Sequence, residues 1–158
     1  MAGPFVPAVL VAAFVAQLSS GAAMVQRVKA DTSVSVEKVR PGEPITLSVQ
    51  VTPDRKIRVF APGSKDYTPV FIAIGPNRDF SFAKPKYPIP SRESVPGTKK
   101  KVLLYKDKFT LAQTITIDPK AARGRMLRIT GTLHYQACDD RSVFAQSAMP
   151  VSWTVEIQ

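Results

Sequence analysis

Apolar and polar residues alternate along most of this chain instead of recurring every third or fourth position, and proline and glycine break the pattern at short intervals. That predicts short antiparallel strands and leaves no room for long helices. Thr32 to Val39 reads as a first strand with Val34 and Val36 on one face, closed by the tight turn Arg40-Pro41-Gly42-Glu43. Ile45, Leu47, Val49 and Val51 alternate in the next. Pro53-Asp54 breaks it, Ile57 to Phe60 starts another, Ala61-Pro62-Gly63-Ser64 forms a loop, and Val70, Ile72 and Ile74 follow. Between residues 76 and 101, Pro76, Pro85, Pro88, Pro90 and Pro96 accompany Phe80, Phe82 and Tyr87. Proline lacks a donating amide, so this stretch predicts a long ordered loop with one edge strand. Val102–Tyr105 and Phe109–Ile117 read as a hairpin across Lys106-Asp107-Lys108, and Asp118-Pro119 opens a turn reaching Arg123-Gly124-Arg125. Leu127, Ile129, Leu133 and Tyr135 share one strand face. Val151, Trp153, Val155 and Ile157 alternate with Ser152, Thr154 and Glu156 at the end. About seven to nine such strands predict an all-β, immunoglobulin-like sandwich.

The first stretch, Met1 to Gln26, carries no charge. Its apolar run Val6 to Val15 is shorter than the ~20 residues that span a bilayer, and Ser19, Ser20 and small residues follow it. This predicts a signal peptide over 1–23 and export to the periplasm, although only the amine of Met1 supplies positive charge ahead of the run. Ser20-Gly21-Ala22 and Gly21-Ala22-Ala23 offer cleavage points, and Val28-Lys29-Ala30 a later one, so the boundary falls within 22–30. Left uncleaved, the segment would be the chain's one contact with a membrane. The folded domain is expected over 32–158.

The whole chain has 158 residues, 22 Lys and Arg against 12 Asp and Glu, net charge +10, and 44% hydrophobic residues. That is one domain with enough apolar content for a core, which excludes wholesale disorder. A single cysteine, Cys138, excludes an internal disulfide, a multi-cysteine metal centre and a self-contained dithiol. No glycine-rich phosphate loop, Ser/His/Asp set or catalytic carboxylate pair is present, so an independent enzyme is not expected and no cofactor is implied.

Tyr135-Gln136-Ala137-Cys138-Asp139 and Pro150-Val151-Ser152-Trp153-Thr154-Val155 carry a resemblance. Arg40-Pro41-Gly42-Glu43, Val59-Phe60-Ala61-Pro62-Gly63, Pro85-Lys86-Tyr87-Pro88 and Val102-Leu103-Leu104-Tyr105-Lys106 extend it in the same order. Over residues 32–158 the chain resembles the disulfide bond corrector family, the amino-terminal domain type of the thiol:disulfide interchange protein DsbD. The resemblance implies an exported immunoglobulin-like domain whose two cysteines pass electrons to thioredoxin-like or DsbD-type envelope partners. Cys138 matches the first cysteine. The second would fall at Val143 or Phe144, and Arg58 stands where many relatives carry histidine.

Cys138 then has several readings. It is a half-buried structural residue left from a lost pair. Or it is a lone thiol that forms a mixed disulfide with another chain, with Tyr135, Gln136 and Asp139 around it. Asp139 and Asp140 would raise its pKa unless Arg141 compensates. A copper(I) site or hydrolytic pair with His134 is disfavoured, since four strand residues span about 13 Å. Lys84, Lys86, Lys99, Lys100 and Lys101 form a basic proline-rich loop that would attract acidic partners, and export argues against nucleic acid. The expected function is thiol-disulfide interchange with one remaining thiol; the alternative is a non-catalytic binding or scaffold module.

Overall fold

A computed structural model of the chain describes residues 25–158; the expected signal peptide lies outside them. Every regular element among the described residues is a strand: β1 (Val28–Val34), β2 (Lys38–Val39), β3 (Pro44–Pro53), β4 (Arg58–Phe60), β5 (Phe71–Ile74), β6 (Phe80–Phe82), β7 (Ser91–Ser94), β8 (Lys101–Tyr105), β9 (Phe109–Ile117), β10 (Arg125–Tyr135), β11 (Ala137–Cys138) and β12 (Ser147–Ile157). One sheet has the order β1-β3-β9-β6 and the facing one β2-β12-β10-β5, while β11-β4-β8-β7 forms a smaller third sheet. All pairs are antiparallel except β2 with β12. The architecture is the all-β, immunoglobulin-like sandwich that the alternation predicts. The count exceeds expectation because strands as short as two residues punctuate the irregular segments.

The period-2 pattern works because each long strand has one dry face. Ile45, Leu47, Val49 and Val51 of β3 meet Leu127, Ile129, Leu133, Val151, Val155 and Ile157 from the opposite sheet, all buried. Trp153, 3% exposed, reaches across from β12 and donates its indole N–H to the carbonyl of Ser48 at 3.0 Å.

Three local expectations change. The expected strand Thr32 to Val39 is two strands in different sheets: β1 pairs with β3, the chain bends at Ser35–Glu37, and β2 runs parallel to the end of β12. Val39, 1% exposed, takes the buried place, and Val36 stays in solvent. The proline-rich segment holds two edge strands, β6 and β7, each using only the side a neighbouring strand can reach. Lastly, β8 and β9 are not a hairpin. Lys106–Lys108 carry the chain from the third sheet to the first, and Tyr105 stacks on Phe109 at 4.2 Å across the step. Alternation gives each strand its faces, but a three-residue connection looks the same whether its flanks pair or part.

Candidate functional site: the Cys138 hairpin

At Tyr135 the chain leaves the β12 ladder, and Ala137–Cys138 turn to pair with Val59 and Arg58 of β4. A tight hairpin follows. Asp139 N–H donates to the Ser142 carbonyl at 3.0 Å and Phe144 N–H to the Ala137 carbonyl at 2.9 Å. These two bonds bracket Cys138 and Val143, which face each other as a non-hydrogen-bonded antiparallel pair. The Asp139 carboxylate accepts the N–H groups of Arg141 and Ser142, each at 2.7 Å. Those bonds, Arg141 first, hold its carboxyl below the usual carboxylate range.

The thiol is fully buried. It packs with Phe60, Val95 and Leu104, and Tyr67 and Val102 cover the cluster, Tyr67 stacking on Phe60 at 4.2 Å. Beside it lies Arg58, whose guanidinium donates to the Asp139 carbonyl at 2.8 Å and pairs with Asp140 at 3.2 Å and Glu93 at 3.3 Å. Lys106 also contacts Glu93, at 3.3 Å. Arg58 Nε is buried with no hydrogen-bond partner among the described residues. Burial pushes the Cys138 thiol above the ordinary cysteine value; the charge and hydrogen bonding of Arg58 pull it down less than burial raises it, and Asp139 and Glu93 add to the rise. The thiol at rest is therefore a protonated one beside an arginine.

This has a pH consequence. The folded chain holds the Cys138 proton more tightly than the unfolded one, so stability is complete below the ordinary cysteine pKa and falls as pH climbs through it toward the raised value. Tyr105, whose hydroxyl donates to the Pro88 carbonyl at 2.7 Å, is pushed up to about 12 chiefly by burial and adds a second loss at higher pH. Thermal midpoints measured from neutral to strongly alkaline pH are expected to decline in that order, and Cys138→Ala is expected to flatten only the earlier part.

The residues expected around the thiol separate. Tyr135, 1% exposed, belongs to the main core; its hydroxyl donates to Gln26 Oε1 at 2.8 Å and accepts the Arg27 N–H at 3.1 Å, fastening the start of β1. Gln136 accepts from Thr68 N–H at 2.9 Å and donates to the Phe144 carbonyl at 3.0 Å, bracing the hairpin. Asp139 shapes the turn. His134 stacks on Phe71 of β5 at 4.8 Å, on a different sheet from Cys138. Among the described residues no group of three or more His, Cys, Asp or Glu is placed to hold a metal ion. The basic loop divides too: Lys100 and Lys101 line a cleft with Lys65 and Arg92, where Lys100 pairs with Asp66 at 3.3 Å, whereas Lys84 and Lys86 lie beyond β6 along β9. A cleft of about 480 Å³ beside the hairpin has walls of Arg55, Lys56, Ile57, Asp139, Asp140 and Arg141; the thiol is not among them.

No family model matches the chain, and no curated protein matches it. Three solved structures are similar to it at low identity. The amino-terminal domain of Neisseria meningitidis DsbD in its reduced form is 9% identical, with a TM-score of 0.45 over 70% of this chain and 82% of that one. The amino-terminal periplasmic domain of ScsB from Proteus mirabilis is 12% identical, TM-score 0.46, over 82% of this chain and 45% of that one. AggA, the major subunit of aggregative adherence fimbriae type I from Escherichia coli, is 14% identical, TM-score 0.37, over 84% and 97%.

In the sequence, Arg58 stands out only as a departure from a pattern. Its union with Glu93, Asp139 and Asp140 joins residues far apart in sequence, and nothing short of the three-dimensional arrangement brings them together. The apolar lid of Phe60, Val95 and Leu104 is likewise drawn from three separate strands and loops.

Proposed function

We propose that the chain is an exported member of the disulfide bond corrector family, a DsbD amino-terminal-domain-like module that engages a thioredoxin-like or DsbD-type envelope protein through one remaining thiol. The observation that carries this reading is the Cys138–Val143 pair. Facing residues in a non-hydrogen-bonded pair have Cα atoms about 4.5 Å apart, within the range a disulfide bridges, and Val143 is one of the two positions where the resemblance puts the second cysteine. The hairpin thus has the shape of a two-cysteine redox site with one half replaced.

The chemistry left to it is a single exchange. With the thiol opened and ionised, Cys138 Sγ attacks a partner disulfide; a mixed S–S bond forms, the partner's bond breaks, and one partner thiolate leaves. No second thiol in this chain resolves the product, so release falls to a thiol of the partner. Full burial and the raised pKa mean that opening must come first, by displacement of the apolar residues around the thiol or of the hairpin tip.

The same burial supports a second reading, in which the domain docks its partner without thiol chemistry. Acid-trapped alkylation and mass spectrometry of the envelope protein separate the two. Cys138 in a mixed disulfide with a defined thioredoxin-like protein, lost in Cys138→Ser, supports exchange. A free Cys138 in the native protein together with full function in Cys138→Ser leaves docking alone. In the isolated native protein Cys138 is expected to react with iodoacetamide roughly a hundredfold more slowly than in urea, since alkylation there waits on opening.

Export with cleavage near Ala22 or Ala23 belongs to the same proposal. A cut after Ala30 would remove Val28, 4% exposed and paired with Pro53, together with Gln26 and Arg27, which hold the Tyr135 hydroxyl. The earlier cut leaves β1 whole. Among the described residues no helix is long and apolar enough to cross a membrane.

A further inference from the structure

The two lateral sides of the sandwich differ. On one, β1 closes against β12, where Thr32 Oγ1 donates to the Ser152 carbonyl at 2.8 Å and Gln26 Nε2 to the Ala148 carbonyl at 3.1 Å. On the other, the terminal strands β5 and β6 leave a cleft of about 330 Å³ walled by Phe71, Ile72, Ala73, Ile74, Phe82 and Gln113. β5 pairs only with β10, so its outer edge presents backbone groups with no ladder partner. That edge is firmly seated, because Gly131 lets β10 approach so closely that an added Cβ would stand 2.9 Å from the Ala73 carbonyl oxygen.

The edge carries no protective lysine or proline within Phe71–Ile74, and two phenylalanines flank it, Phe71 36% and Phe82 44% exposed. Gln113, only 8% exposed, commits its carboxamide hydrogens to the carbonyls of Ala83 and Thr114, leaving its oxygen to accept. The margin of β6 continues along β9 through Ala83 N–H to Thr114 and Lys86 N–H to Ala112, so Lys84 and Lys86 follow Phe82 along this margin, with Arg78 in the turn before β6. None of these three cations is in an ion pair among the described residues.

We propose that this cleft binds an extended segment of a partner protein by strand addition to β5, with apolar residues at alternate positions directed toward Phe82 and Ile72 and acidic residues at its ends. Strand addition satisfies the open backbone edge, and the alternate side chains fill the apolar walls. The unpaired cations along the β6 margin select acidic flanks, and a net charge of +10 on each molecule opposes a second copy as the occupant. The inference goes beyond the thiol reading and does not depend on it, since the cleft is built from other strands.

The test uses a fluorescein-labelled peptide of alternating valine and threonine flanked by paired glutamates, titrated into the whole domain and followed by polarisation and amide NMR. Saturable binding that weakens with salt, with shifts centred on Phe71–Ile74, is expected. Alternate N-methylation of the peptide backbone is expected to weaken it by roughly tenfold or more, as is Phe82→Asp at an exposed position whose variant should keep the native thermal midpoint. Lys84→Glu combined with Lys86→Glu is expected to shift preference to a lysine-flanked peptide. Equal binding of the N-methylated peptide or of the lysine-flanked one by the native domain overturns the proposal, as does absence of saturation at millimolar peptide. A dimer in sedimentation that Phe82→Asp dissociates would overturn it in favour of self-association.

Discussion

Val143→Cys is expected to close a disulfide with Cys138 under a mild glutathione buffer, turning a one-thiol hairpin into a reversible dithiol. Two features favour closure: the residues face each other in a non-hydrogen-bonded pair, and Val143 is 37% exposed, so its replacement removes little core packing. Linking 138 to 143 closes a short loop, and on chain entropy the bridge should stabilise the domain by about 2 kcal/mol. The readout is a two-thiol loss on oxidation, counted after unfolding, with a matching rise in the urea midpoint. Persistence of two free thiols would contradict the facing geometry and remove the main support for reading the hairpin as half of a redox site.

Trp153→Ala should have the largest effect on stability. Its ring is 3% exposed, sits between the two sheets, and ties β12 to the Ser48 carbonyl of β3. Truncating a buried aromatic of this size costs about 3–5 kcal/mol, which is a large share of the ~5–15 kcal/mol that stabilises a domain. Urea denaturation at equilibrium measures it. Trp153→Phe retains most of the apolar burial and loses the bond to Ser48, so it should fall well short of that loss; equal losses would mean that the hydrogen bond rather than packing dominates.

Both predictions rest on parts of the chain that differ in how openly the sequence displays them. The long strands are legible because burial on one face forces a period of two: β3, β9, β10 and β12 all show it, and their buried residues are the alternating ones. Cys138 is legible as the single thiol, and its hairpin as a polar loop between strands. Arg58, Glu93 and the apolar lid are not, because no local spacing relates residues on β4, β7 and β11. Tyr135 shows the opposite difficulty: three positions from the cysteine in sequence, it points into another core, since the chain changes sheets between them.

By itself the sequence determined the fold class, the faces of the long strands, the single thiol and its lack of an internal partner, because composition and a two-residue period are local properties. Only the tertiary structure decided which strands pair, where the chain crosses between sheets at Ser35–Glu37 and Lys106–Lys108, that the thiol lies buried among Phe60, Val95 and Leu104 beside Arg58, and that β5 and β6 leave an open edge. Those outcomes depend on contacts between distant segments, where burial of shared apolar surface outweighs the preference of any one stretch.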